Sequence, residues 1–123
     1  MKQATILVCD DQEGVRESLQ LILGSEYSLA FAADGEEAFH YMEAHDPDLA
    51  ILDVKMPKVN GLEVVRMIKE RKPGVRVLMI TGYESSDVAA QASKLGVAGY
   101  LTKPFDGQRI LAQVRALLGS QPA

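Results

Sequence analysis

Five short apolar runs alternate with five helix-patterned segments, and this alternation constrains the fold more than any other feature of the 123-residue chain. Thr5 to Cys9 reads as a fully buried strand. Val15, Leu19, Ile22 and Leu23 follow on one helical face, and Gly24 ends that helix. Tyr27, Leu29 and Phe31 alternate with small residues, as expected of a half-exposed edge strand. Asp34 is placed to cap a second helix with Ala38, Tyr41 and Met42 on its buried face. A third strand runs from Asp48 to Asp53 after the break at Asp46-Pro47. Beyond the loop of Met56-Pro57 and Asn60-Gly61, Leu62, Val65 and Ile68 lead a helix that stops before Pro73-Gly74. Val75 to Ile80 is the fourth strand, and Val88, Ala92 and Leu95 mark a helix stopped by Gly96. Ala98 to Leu101 is the fifth strand, and Ile110, Val114, Leu117 and Leu118 mark the last helix.

Strands that alternate with helices predict right-handed crossovers and a parallel sheet covered on both faces. Ligands of such sheets bind outside the carboxyl ends of the strands. That rule gathers particular side chains. Asp10 and Asp11 close the first strand, Asp53 closes the third, Thr81 follows the fourth, and Lys103-Pro104 follows the fifth. Any one of these polar residues fits a turn or a cap. Together they place three carboxylates, a hydroxyl and a lysine at one edge. Two like unit charges about 4 Å apart repel by roughly 4 kcal/mol at an effective dielectric near 20. A hard divalent cation and a lysine relieve that repulsion, and magnesium suits oxygen ligands that leave room for water and phosphate. Asp53 is then the candidate nucleophile, since carboxylates attack phosphoryl groups to give acyl phosphates. Lys103 would neutralise one phosphoryl oxygen and Thr81 would donate its hydroxyl to another.

Other chemistries find no support. The chain has no G-x-x-x-x-G-K-[ST] loop, no G-x-G-x-x-G turn and no G-x-S-x-G elbow. A net charge of −4 argues against nonspecific binding of DNA or anionic membranes by this domain alone. The single cysteine, Cys9, excludes a disulfide framework and reads as a small buried hydrophobe. With no signal peptide and no apolar run of membrane-spanning length, a cytoplasmic location is expected. His40 and His45 lie on or near a solvated helix without clustered ligands, so a structural or neutral role is expected of them.

In order along the chain, Asp10-Asp11, Asp53-Val54-Lys55-Met56-Pro57 with Gly61, Thr81-Gly82 and Lys103-Pro104-Phe105 resemble the response-regulator receiver domains of two-component signalling, the CheY-like family. The resemblance spans nearly the whole chain. It implies a flavodoxin-like, doubly wound α/β fold, with a five-stranded sheet in order 2-1-3-4-5 flanked by five helices. It implies that Asp53 accepts a phosphoryl group from a sensor histidine kinase or phosphotransfer protein. Magnesium, or manganese, would be held by Asp10, Asp11, Asp53 and the backbone carbonyl of Lys55. Thr81 would move toward the phosphoryl group and Tyr100 would turn inward, and the Lys103-Pro104 peptide would be cis. The surface of the fourth helix, fifth strand and fifth helix would then repack for a downstream protein or a fused output domain. Ser86, Asp87, Ala90, Gln91, Lys94, Ala98 and Tyr100 are the candidate residues there. Lys55 and Tyr83 are expected to overhang the phosphoryl group and set its lifetime, while Gly82 leaves access for a donor. The receiver is expected over 1–119, with 120–123 a tail or the start of a linker, and a monomer or phosphorylation-promoted dimer is expected. Two other readings compete. One is a magnesium-dependent aspartyl-phosphate phosphatase, which usually needs an acid where Lys55 stands. The other is a degenerate receiver acting as a constitutive interaction module.

Overall fold

The computed structural model describes residues 3–54, 60–82 and 86–119, with the side chains of 86–88 excepted. The expected tail, 120–123, lies outside the described residues. In chain order the elements are β1 (Thr5–Cys9), α1 (Glu13–Leu23), β2 (Ser28–Ala32), α2 (Gly35–Ala44), β3 (Leu49–Asp53), α3 (Gly61–Arg71), β4 (Arg76–Thr81), α4 (Ser86–Lys94), β5 (Gly99–Thr102) and α5 (Gly107–Leu118). The strands form one parallel sheet in the order β2-β1-β3-β4-β5, as the resemblance implies.

Period-two alternation splits each central strand between two cores. Leu7, Cys9, Ala50, Leu52, Val77 and Met79 pack beneath α2, α3 and α4, joined by Ala38, Met42, Val64, Val65, Ile68 and Ala92. Ile6, Val8, Leu49, Ile51, Leu78 and Ile80 face the other way, against Leu19 and Leu23 of α1 and Ile110 and Val114 of α5. With both faces covered, the central strands carry unbroken apolar runs. Burial pushes the Cys9 thiol far above its ordinary value, with neighbouring carboxylates adding to the effect. That is the environment of a packing residue and not of a reactive thiolate.

The edge strand β2 matches its expectation, with Phe31 40% exposed. Gly96 ends α4 with φ +81, a left-handed conformation that L side chains resist. Three strands have boundaries that differ by one residue from the sequence expectation. Asp48 lies outside β3 because its Oδ2 accepts from Thr5 N at 2.8 Å. Strands β4 and β5 begin and end one residue later than expected, since Thr81 and Thr102 pair across the ladder as β-branched residues do.

Candidate acidic phosphoacceptor site

Sheet register brings the site residues together. Cys9 pairs with Leu52, so Asp10 lies beside Asp53 one step further along the two strands. Asp53 pairs with Ile80, which puts Thr81 one residue beyond it. Thr81 pairs with Thr102, and Lys103 follows, its backbone N–H donating to the Thr81 carbonyl at 2.6 Å. The Lys103-Pro104 peptide is cis. Asp10, Asp11 and Asp53 each offer a carboxylate oxygen, and these oxygens lie within 4.8 Å of one another.

Burial sharpens the electrostatics. Asp10 is fully buried, Asp53 is 4% exposed and Thr81 1%. One cation holds the two buried aspartates: Lys103 Nζ lies 2.8 Å from Asp10 Oδ2 and 3.1 Å from Asp53 Oδ2. The contact to Asp53 is aligned as a hydrogen bond, whereas the one to Asp10 is an ion pair off the hydrogen-bond line. Burial lowers the proton affinity of Lys103, but Asp10 and Asp53 together outweigh it and hold the ammonium above the ordinary lysine value. Asp11 is exposed at the rim.

Three carboxylates converging beside an open cleft fit a hard divalent cation, and the cluster is a magnesium site in its donor chemistry. The cleft encloses about 840 Å³. Its polar end is formed by Asp11, Asp53, Thr81 and Lys103, and its apolar end by Val15, Ile22 and Phe105. Gly82 is exposed beside the aliphatic stem of Lys103.

Local sequence explains the close approach on the far side of Asp53. Asn60 caps α3, its Oδ1 accepting from Leu62 N at 2.8 Å, and Gly61 N donates to the Val54 carbonyl at 3.0 Å. A Cβ at Gly61 would stand 2.9 Å from the Val54 Cα and closer still to the Asp53 carbonyl oxygen, so only glycine lets α3 start here.

Two residues absent from the sequence expectation brace the site from α1. The backbone N–H of Gln12 donates to Asp10 Oδ1 at 2.9 Å, and its side-chain Oε1 accepts from Lys103 Nζ at 2.8 Å. Arg16 Nη1 donates to the Asp10 carbonyl at 2.6 Å. Gln12 was visible in one respect: it occupies a helix N-cap, a place that favours Ser, Thr, Asp or Asn. Tyr100 pairs with Met79 and is half-buried against the α2–α3–α4 core. Ala90, Gln91, Lys94 and Ala98 are exposed. Lys55 and Tyr83, and the side chains of Ser86 and Asp87, lie outside the described residues.

Known proteins share both the sequence pattern and the architecture. The pattern described as the response regulator receiver domain matches residues 6–115. The alkaline phosphatase synthesis transcriptional regulatory protein PhoP of Bacillus subtilis is 39% identical over 114 residues, covering 92% of this chain and 48% of that protein. Response regulator MprA of Mycolicibacterium vanbaalenii is 40% identical over 114 residues, covering 92% of this chain and 49% of that protein. The chain thus spans about half the length of the curated relatives it matches. Among solved structures, a CheY-like receiver domain protein from Methanospirillum hungatei superposes with a TM-score of 0.91 at 28% identity, covering 95% of this chain and 94% of that one. The BeF3-activated DrrB receiver domain gives 0.88 at 27% identity, covering 94% and 97%.

Proposed function

The chain belongs to the family of response regulator receiver domains, signalling switches controlled by aspartate phosphorylation rather than enzymes in their own right, and we propose that Asp53 is the residue that takes the phosphoryl group. The observation that carries this reading is the pairing of Asp53 with Asp10 across one lysine at the mouth of the cleft. Asp53 is buried except toward that cleft, so a phosphoryl donor meets its carboxylate from one side. Asp10, Asp11 and Asp53 would hold magnesium, which neutralises phosphoryl charge when bound. Lys103 is already charged and poised to meet an incoming phosphoryl oxygen. Thr81 stands one residue beyond the register partner of Asp53, within reach of a hydroxyl contact to another oxygen.

The donor is a sensor histidine kinase or a phosphotransfer protein. Open access beside Gly82 and the apolar wall of Val15, Ile22 and Phe105 support approach by a protein donor. An acyl phosphate adds charge and three acceptor oxygens at one point. Drawing Thr81 and Lys103 toward it changes the ends of β4 and β5 together, and Tyr100 lies between them and α4. The output surface is therefore the exposed side of α4, β5 and α5, including Ala90, Gln91, Lys94 and Ala98, which a downstream protein or a linked output domain reads. None of the described helices is long and apolar enough to cross a membrane.

Intact mass after incubation with acetyl phosphate, with and without magnesium, tests the assignment. One phosphoryl group is gained only with magnesium, and Asp53→Ala gains none. A wild-type gain that survives in Asp53→Ala places the acceptor elsewhere.

A further inference from the structure

We infer that Gln12 is a positioning residue for phosphoryl transfer, one that keeps the Lys103 ammonium at the mouth of the cleft when a cation and a phosphoryl group claim Asp10 and Asp53. The inference deepens the reading of Asp53 as acceptor and rests on it. Three oxygens surround Lys103 Nζ, those of Asp10, Asp53 and Gln12. Two of them belong to carboxylates that also make up the cation site. Any divalent cation held there competes with the ammonium for the same negative charge. Phosphorylation of Asp53 removes its free carboxylate altogether. The Gln12 carboxamide carries no charge and is no part of the acidic cluster, so among the described partners of Lys103 it is the one that neither event takes away.

Local structure supports a dedicated role. Asp34, Asn60 and Asp106 each cap a helix by accepting a backbone N–H with the side chain. Gln12 holds the equivalent place on α1 and makes no such bond. A side-chain cap stabilises a helix, and here the side chain turns to Lys103 instead. Its backbone N–H fixes Asp10 while its carboxamide fixes Lys103, so one residue sets the distance between the two partners. Gln12 is exposed and lines the cleft beside Asp11 and Asp53. A long methionine can therefore replace it without disturbing a core.

A double-mutant cycle between Gln12→Met and Lys103→Gln tests this, read in two ways. With acetyl phosphate and saturating magnesium, Gln12→Met is expected to slow phosphorylation about tenfold, the loss of one hydrogen bond to a charged group. In the Lys103→Gln background it is expected to change the residual rate by less than about twofold. With EDTA and no donor, Gln12→Met is expected to lower the urea midpoint only where Lys103 is present. Equal effects in both backgrounds, or no effect in either, overturn the inference. Each reading decides without the other: the rate arm stands if Lys103→Gln does not fold in EDTA. The EDTA arm stands if the wild type takes no phosphoryl group, a result that counts against Asp53 as acceptor and leaves the Gln12 contact still measured.

Discussion

At the carboxyl-terminal edge of the sheet, two buried aspartates share one lysine whose side chain is 15% exposed. At the amino-terminal edge, charges meet in separate one-to-one pairs, each with at least one side chain open to water. Lys72 pairs with Asp46, whose side chain is 80% exposed, and Arg115 pairs with Glu26. Asp48 accepts from Thr5 N, Arg76 donates to the Leu117 carbonyl, and the Tyr27 hydroxyl donates to the Gly119 carbonyl at 2.8 Å. One edge satisfies its polar groups and closes the fold. The other gathers like charges, two of them out of water, around one lysine among the described residues. That crowding of negative charge is what a cation can relieve before an anionic phosphoryl group approaches, so function is concentrated where the resting electrostatics are least settled.

Removing one lysine from each edge should separate the two most. Lys103→Ala removes the cation that, among the described residues, bridges Asp10 and Asp53, and breaking such a buried pair costs about 3–5 kcal/mol. Urea unfolding in EDTA should show that loss, and magnesium should restore a large part of it by replacing the missing charge. Lys72→Ala removes a largely solvated pair and should cost at most about 1 kcal/mol, with no response to magnesium. Similar losses at both edges would erase the distinction.

A pair of glycines sharpens the contrast in shape rather than charge. Gly61→Ala drives a methyl group into the backbone behind Asp53, forcing α3 to retreat. The expected loss is about 1–3 kcal/mol, together with slower phosphorylation because Asp53 moves with its carbonyl. Gly74, in the loop before β4, has nothing within 4 Å of the same added atom and no left-handed φ. Gly74→Ala should be neutral or stabilise by about 0.4–1 kcal/mol through the unfolded chain. Thermal unfolding of the two variants checks both signs.

Much of this architecture was legible in the residues. Unbroken apolar runs in β1, β3 and β4 announce strands covered on both faces, and the carboxyl-end rule turns Asp10, Asp53, Thr81 and Lys103 into one site. Other features were out of reach because they depend on packing between distant segments. Gln12 and Lys103 are 91 residues apart, and no periodicity links a helix cap to the residue before a proline. Arg16 reads as a solvated helix position until α1 is laid over the sheet, where it reaches the Asp10 carbonyl. Val64 sits beside Val65, so the helical stripe of Leu62, Val65 and Ile68 does not mark it. It is buried because α3 packs on the sheet with α2 alongside it, so more than one stripe of the helix is covered. The one-residue shifts at β4 and β5 arise from ladder pairing, which single-strand patterns do not contain.

The two edges should also fail at opposite ends of the pH scale, the smallest of these effects. Lys103 has its pKa raised in the folded state by Asp10 and Asp53 against the pull of burial. A raised lysine stabilises fully below its unfolded value, near 10.4, and loses that contribution as pH climbs through the higher folded value. Glu26 moves the other way: the Arg115 hydrogen bonds hold its carboxyl below the ordinary range. Its contribution is present above the unfolded carboxylate value, near 4.3, and fades as pH falls through the lower folded one. Melting curves of the metal-free protein should therefore show an alkaline decline that Lys103→Gln flattens and Glu26→Gln leaves alone. In acid, Glu26→Gln should flatten a small part of the decline, and Lys103→Gln should not mimic that change. Magnesium adds a further discrimination, because it replaces the ammonium only at the carboxyl-terminal edge. Its presence should shrink the alkaline contribution of Lys103 while leaving that of Glu26 at low pH untouched. An alkaline decline unchanged by Lys103→Gln would mean that the aspartates at the site do not depend on this lysine for their charge balance.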